Sequence, residues 1–317
     1  MTFQQTTGQV FVSLPQKLTN VQVPPIKIQG IKTKLVSFIA ANIMWDGVGT
    51  YHEPFMGSGV VGFNLAPQRA IFSDTNPHLI RFYQSLYDGK ITAPMVREYL
   101  ETEAPKLADT PDGRESYYYE VRDRFNKEHS PLDFLFLQRS NFNGMIRFNS
   151  SGGYNVPFGR KPNRFAPALI TKITNQVRWL GELFQARPDW TFANQSFEDA
   201  YQDVEAHDFV YLDPPYIGRH DGYFDSWSEE KADLLAEITQ KNPSGYALSM
   251  WHSNRHRTNG HLDLWAHGVV HTTDHFYHVG AKELNRSAVI EALVVSPKNT
   301  VDPVTTAGGS PRVLLTL

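Results

Sequence analysis

The sequence predicts an α/β fold built on a mostly parallel sheet, and two stretches carry that prediction. In the first, Glu53-Pro-Phe-Met-Gly-Ser-Gly59 is a glycine-rich turn between a short extended run, Thr50 to Glu53, and an apolar helical run, Val60 to Leu65, with Ser58 placed to cap the helix. A second strand, Ala70 to Ser73, follows and ends at Asp74. In the second stretch, Asp208-Phe-Val-Tyr-Leu212 is a continuous apolar run of the kind a strand covered on both faces requires, and it ends directly in Asp213-Pro-Pro-Tyr216. At 317 residues the chain has room for one large unit with a smaller insertion. Its 41% hydrophobic and 20% charged residues are ordinary globular usage, which argues against a disordered chain or a coiled coil.

The remaining elements follow in order. After a polar amino-terminal arm (1–25), Lys34 to Met44 has helical spacing. Pro77 to Tyr99 is helical, Thr110 to Gly113 a loop, and Glu115 to Phe125 helical again. Phe134 to Arg139 leads into a segment dense in Asn, Gly, Arg and aromatics, where Ser-Ser-Gly-Gly between alternating residues predicts a β-hairpin over Arg147 to Val156. Tyr246 to Trp251 and Ala288 to Val295 read as further strands, and the Thr-, Gly- and Pro-rich end as a loosely held tail. There are no internal repeats. The apolar run Val10 to Leu14 is far too short to span a bilayer and follows no basic leader, so a cytoplasmic protein without membrane contact is expected. The absence of cysteine fits a reducing compartment and excludes disulfides, thiolate metal sites and a cysteine nucleophile.

A net charge of -3 gives no overall footprint of a nucleic-acid binder. The distribution differs: from Phe134 to Gly181 there is not one Asp or Glu, whereas Arg139, Arg147, Arg160, Lys161, Arg164, Lys172 and Arg178 all fall there. Within this basic stretch, Asn141-Phe-Asn-Gly-Met-Ile-Arg147 has the composition of a base reader, with Asn and Arg for bidentate contacts and aromatic and Met side chains for wedging.

Two constellations carry chemistry. Glycines at Gly57 and Gly59 let a backbone approach a ligand at the carboxyl edge of a sheet, and an acid ending the next strand, Asp74, stands where ribose hydroxyls would be bound. Gly57-x-Gly59-x-x-Gly62 also matches the dinucleotide spacing, which leaves a dehydrogenase open. Asp213-Pro-Pro-Tyr216 is more specific. An aromatic amine is a poor nucleophile because its lone pair is delocalised; a carboxylate (Asp213) and a fixed carbonyl (Pro214) accepting its two hydrogens localise that pair for in-line attack on a methyl sulfonium. The prolines, Pro215 included, hold the backbone without donating an N–H, and Tyr216 offers a ring for a flipped base to stack on. Methylation at cytosine carbon 5 is excluded, because it needs a cysteine. Late histidines, His252 and His256 at i, i+4 among them, have no partner pattern for a metal, and no metal site is expected.

These residues resemble the Dam-type, α-ordered family of DNA adenine-N6 methyltransferases. The resemblance runs from about Ile26 to Val295 and rests on Glu53-Pro-Phe-x-Gly-Ser-Gly59, Ser73-Asp-x-Asn-Pro-x-Leu79, Asn143-Gly-x-x-Arg147-Phe-Asn149, Asn155-Val-Pro-Phe-Gly-Arg160 and Asp213-Pro-Pro-Tyr216. It implies a Rossmann-like methyltransferase fold: a mostly parallel seven-stranded sheet with one antiparallel strand near Ala288 to Val295, plus a smaller inserted target-recognition domain. The catalytic domain would comprise 26–86 and 189–297, the recognition domain 87–188 and the tail 298–317. The implied cofactor is S-adenosyl-L-methionine, held by Gly30, Lys32, Pro54, Phe55, Gly57, Gly59, Asp74, Asn76, Phe197 and Asp213. Lys27-x-x-Gly30-x-Lys32 is similar to the family's first motif, with Ile28 and Ile31 where Trp and a second Gly are usual; Ser196 stands where the family often has Asp. Asn285-Arg286 with Glu291 is similar to its last motif, and Ile217 to His220 would close over the flipped base. The implied partner is double-stranded DNA, met by Lys27, Arg139, Asn143, Met145, Arg147, Asn155 and Arg160, with Arg147 on a guanine. A monomer is expected, in a restriction-modification system with a separately acting cognate endonuclease or as a phage or orphan enzyme. Two rivals stand beside this reading: the same chemistry on cytosine N4 or an RNA base, and a non-catalytic DNA-binding module.

Overall fold

The computed structural model describes residues 12–107, 115–160, 164–216, 227–253, 258–276 and 288–301. Seven strands form one sheet in the order β3-β2-β1-β4-β5-β7-β6: β1 (Tyr51–Glu53), β2 (Ala70–Asp74), β3 (Trp190–Asn194), β4 (Phe209–Leu212), β5 (Gly245–Ser253), β6 (Val269–Phe276) and β7 (Ala288–Val295). The first five strands run parallel, and β7 is antiparallel to both its neighbours. The antiparallel strand is therefore the one expected, Ala288 to Val295.

Period-two alternation sorts the central strands between two apolar clusters. Phe209 and Tyr211 of β4 belong to one cluster and Val210 and Leu212 to the other; Leu293 and Val295 of β7 likewise separate from Ala292 and Val294. Both faces of β4 are thus covered, which is why its sequence shows no polar alternation. On the first face Phe63 packs among Phe72, Tyr83, Phe184 and Trp190 at ring-centroid distances of 5.1 to 5.9 Å.

The helices are α1 (Val36–Asn42), α2 (Val60–Leu65), α3 (Pro77–Tyr87), α4 (Ala93–Glu103), α5 (Glu115–Glu128), α6 (Pro131–Ser140), α7 (Pro167–Gln185), α8 (Phe197–Ala200) and α9 (Glu229–Lys241). The predicted run Pro77 to Tyr99 is two helices, because Gly89 takes a left-handed φ of 69° and turns the chain between them. Ser58 does not cap α2: Gly59 is the N-cap, at φ 68°, and no side chain bonds there. The amino-terminal arm is anchored where it is described, since Leu14 and Trp45 exchange backbone hydrogen bonds of 2.7 and 3.2 Å and both are buried. The first tail residues are held too: Asn299 donates to the Met44 carbonyl at 2.8 Å.

The inserted region is helical, and its core is continuous with that of the sheet: Tyr118, Phe125, Phe134 and Phe136 fall in the same apolar cluster as Phe72 and Phe209. Arg124 clamps Asp133 with two bonds, 2.6 and 2.8 Å, Tyr99 donates to the same carboxylate, and Glu103 joins at 3.2 Å, tying α4, α5 and α6 together. The predicted hairpin is a turn with isolated bridges, Phe148 to Tyr154 and Asn141 to Phe158, closed by Asn149 N–H to the Gly153 carbonyl at 2.8 Å. Its Phe148 ring stacks on His78 of α3 at 5.0 Å.

Burial, with His129 and Arg81 nearby, lowers the His78 pKa to about 4. The unfolded chain then binds a proton that the folded chain refuses. Stability carried by neutral His78 is complete above the unfolded value of about 6.5 and is lost as pH falls from there towards about 4. His78→Phe should keep the stack and flatten the fall in urea midpoint between those pH values; an unchanged slope would assign the acid sensitivity elsewhere.

Candidate active site

The sheet reverses its winding between β1 and β4, and a cavity lies at the carboxyl ends of the strands there, the usual ligand position in such sheets. Four acids line it: Asp74 at the end of β2, Glu53 at the end of β1 and Asp213 just beyond β4, all at strand ends, and Glu198 of α8. Gly30, Lys32, Pro54, Phe55, Gly57, Phe197, Pro214, Pro215 and Tyr216 also line it.

Asp213 pairs with Lys32, Nζ to Oδ1 2.7 Å, and the ammonium is 5% exposed. It also donates to the Gly30 carbonyl at 3.1 Å and sits 5.2 Å from the Tyr216 ring centroid. Burial alone would lower the Lys32 pKa; the Asp213 carboxylate, with smaller help from Tyr211 and Glu291, outweighs it and holds the group above lysine's ordinary value. Burial pushes Asp213 up, and the ammonium of Lys32, 2.7 Å away, draws it back. The Tyr216 hydroxyl donates to Glu291 Oε2 at 3.1 Å.

Burial raises Glu53 to about 8, against the hydrogen bonds from Tyr51 (3.0 Å) and the Gly62 N–H (2.9 Å) to one carboxyl oxygen. Asp74 is pushed up to about 6 by burial, and the N–H groups of Asn76 and Gly57, at 2.9 and 3.0 Å, pull it back. Asp74 therefore also ties the glycine turn to β2.

The glycines have different work. Gly57, at φ 48°, faces the cavity, and a Cβ there would meet nothing nearer than Ile28 Cδ1 at 3.6 Å. Gly59 does not line the cavity: its missing Cβ leaves room for the Phe63 ring, which would otherwise lie at 2.4 Å. Gly62 lets Phe72 and Glu53 pack against α2, contacts of 2.3 and 2.5 Å to a Cβ, so the dinucleotide-like spacing has a packing cause. Asn76 has a structural task in the fold. Its side-chain oxygen caps α3, accepting from the N–H groups of His78 and Leu79 at 3.0 and 3.4 Å, and the residue is not among the cavity lining.

Sequence reasoning missed Trp227, Lys231 and Glu53 as cavity residues. Trp227 packs edge-on to Phe55 at 5.4 Å, and Phe55 stacks on Phe197 at 5.7 Å, making an aromatic wall from three distant segments. Nothing in the local sequence of Trp227 marks it; the wall exists only after folding. A second cavity shares Pro214, Pro215, Tyr216 and Trp227 with the first and continues to Met250, Trp251 and Trp265.

Among the residues expected to face DNA, Lys27, Asn143, Arg147 and Arg160 are exposed, and Asn155 is half-buried. Asn143 and Gly144, at φ 57° and 70°, form a tight turn closed by Met145 N–H to the Phe142 carbonyl at 3.3 Å. The turn holds Phe142 48% exposed, and Gly144 lies against the Lys27 stem, where a Cβ would come within 3.0 Å. Met145 is half-buried, its carbonyl bound by Asn141 Nδ2 at 2.6 Å. Arg147 is braced on Asn155 by bonds of 2.8 and 3.0 Å. Arg139 is turned inward: it is half-buried, donates to the Pro25 carbonyl at 3.3 Å, and is lowered to about 10 by burial and by Arg164. His252 lies on a strand, so the helical i, i+4 relation does not exist; His256 and His278, Lys161, Ile217 to His220 and Asn285-Arg286 lie outside the described residues. Among the described residues no group of three His, Asp or Glu could hold a metal ion, and no helix is long and apolar enough to cross a membrane.

A family model described as D12 class N6 adenine-specific DNA methyltransferase matches residues 29–283. The chain is 26% identical over 308 residues to the modification methylase StsI of Streptococcus sanguinis, covering 90% of this chain and 45% of that protein. It is 30% identical over 217 residues to a DNA adenine methylase of Vibrio cholerae (65% and 73% covered), and 26% identical over 297 residues to the type II methyltransferase M1.LlaDCHI of Lactococcus lactis subsp. cremoris (87% and 96%). The chain thus spans less than half the length of StsI, and 43% of the similar methyltransferase M.FokI.

The two glycines of the turn separate conformation from space. Gly57→Ala should cost about 1–2 kcal/mol, the strain of a left-handed Cβ in open space. Gly59→Ala should cost more, because the Phe63 ring must also move. Equal urea midpoints for the two variants would contradict that division of roles.

Proposed function

Because the chain belongs to the D12 class of N6 adenine-specific DNA methyltransferases, we propose that it methylates the exocyclic amino group of an adenine flipped out of duplex DNA, with S-adenosylmethionine as donor. The observation that carries this reading is the Lys32–Asp213 pair at the mouth of a cavity framed by Gly57 and three strand-end acids. The cavity fits the donor: an open left-handed glycine admits close approach, Asp74 offers a carboxylate for ribose hydroxyls, and Phe55, Phe197 and Trp227 offer an apolar wall for a purine. Gly30, Lys32 and Pro54 also line it, and Glu53 supplies a carboxyl for the donor's ammonium.

When bound, S-adenosylmethionine supplies an electrophilic methyl group on a sulfonium. Asp213 and the Pro214 carbonyl accept the two amino hydrogens of adenine and localise the lone pair that attacks that methyl. Lys32 keeps Asp213 ionised for this task, and the carboxylate stabilises the positive charge arriving on the amino nitrogen until a proton leaves it. Pro215 stiffens the approach to Tyr216, whose ring carries Lys32 near its centroid and offers a stacking surface to the base. Lys27, Asn143, Arg147, Asn155 and Arg160 face DNA, with Arg147, pre-set by Asn155, reading a base edge. Phe142 is the wedge that occupies the stack when the base leaves, Met145 supports it from within, and Arg139 anchors the reading turn to the Pro25 backbone. The protein acts as a monomer in the cytoplasm. Relatives named modification methylase and type II methyltransferase support a restriction-modification setting, in which any nuclease acts separately.

Incubation with labelled S-adenosylmethionine and unmethylated genomic DNA, followed by identification of the modified base, tests this reading. Methyl-adenine in one short sequence context, abolished in Asp213→Ala, is the expected result. Label on cytosine or RNA would overturn the substrate, and donor binding without transfer would favour a DNA-binding module.

A further inference from the structure

Glu291 is the middle of an otherwise apolar run, Ala288-Val-Ile-Glu-Ala-Leu-Val-Val295, and is 1% exposed. It faces Trp251 on β5 and Thr273 on β6, so it stands in the interior of the sheet. A carboxylate there is costly, and an apolar residue would suit a covered strand better. Its Oε2 receives the Tyr216 hydroxyl at 3.1 Å, a contact that reaches from the exit of β4 across β5 to β7.

Tyr216 follows two prolines, which hold its backbone direction but do not by themselves fix its side chain. Two contacts help to fix it. The Lys32 ammonium lies 5.2 Å from the ring centroid, and Glu291 holds the far end of the ring by its hydroxyl. A hydrogen bond to an ionised acceptor is stronger than one to a neutral group, which gives a reason for Glu over Gln at this position. Glu291 also raises the pKa values of both Lys32 and Asp213, as a carboxylate close to the pair must.

We infer that Glu291 is a positioning residue for methyl transfer, acting through the Tyr216 hydroxyl to fix the ring as a stacking platform before the base arrives. The inference rests on the reading of the preceding subsection. A platform set in advance spares the reorganisation that a swinging ring would impose at each turnover, so Glu291 bears on kcat and on base stacking rather than on donor binding.

The test is a double-mutant cycle of Glu291→Gln, Tyr216→Phe and their combination. It is read in kcat, in KM for donor and DNA, and in the fluorescence of a duplex carrying 2-aminopurine at the adenine that the labelling assay identifies. Glu291→Gln should lower kcat about ten-fold, with KM for the donor unchanged and weaker quenching of 2-aminopurine. In the Tyr216→Phe background, which keeps the ring but has no hydroxyl to hold, it should change kcat less than about two-fold. Equal losses in both backgrounds, or no loss in the parent, would overturn the inference. If the parent protein transfers no methyl to adenine, the functional reading fails, and the same cycle in urea unfolding still decides whether the two residues are coupled; additivity there overturns the inference as well.

Discussion

The Lys32–Asp213 ion pair is the constraint on which the rest of the site depends. A lone carboxylate at the edge of an apolar cavity would take up a proton, and a lone ammonium buried to 5% exposure would shed one. With the two held 2.7 Å apart, the carboxyl group of Asp213 raises the Lys32 pKa and the ammonium of Lys32 lowers that of Asp213. The pair also joins two remote segments, because Lys32 lies in the loop before α1 and Asp213 follows β4. Through the same ammonium it reaches the Tyr216 ring, and through that ring Glu291 on β7.

The sheet makes this meeting possible. Parallel strands deliver their carboxyl ends to one edge, so Asp74, Glu53 and Asp213 come to a single cavity although they are scattered along the chain. The reversal of strand order between β1 and β4 opens the space between them. The inserted helices share an apolar cluster with the sheet, and His78 stacked on Phe148 ties the turn after Arg147 to α3. The neighbouring turn that presents Phe142 projects from the same core, its Met145 carbonyl held by Asn141.

Much of this was legible in the sequence where one local feature suffices. β4 is covered on both faces and reads as an unbroken apolar run; the glycine turn and Asp213-Pro-Pro-Tyr216 are contiguous and chemically distinctive. The outer strands were not legible. β3 is an edge strand of mixed exposure and β6 carries Thr, His and Asp, so neither shows a buried-strand pattern. Asn76 and Gly59 fell within a recognisable motif, yet the fold uses Asn76 to cap α3 and Gly59 to seat Phe63. Trp227 and the Tyr216–Glu291 bond depend on contacts between remote segments, which local spacing does not encode.

The pH dependence of single-turnover methyl transfer in the unsubstituted protein and in Lys32→Met, each with saturating donor between about pH 5 and 9, tests most directly whether Lys32 holds Asp213 ionised. Lys32 lowers the Asp213 pKa, so its removal raises that pKa, and activity needing the carboxylate is lost as pH falls through it. The acidic limb of the variant should therefore lie at higher pH than that of the parent. A limb that stays in place while the rate falls would mean that Lys32 serves the reaction in some way other than by controlling the charge on Asp213.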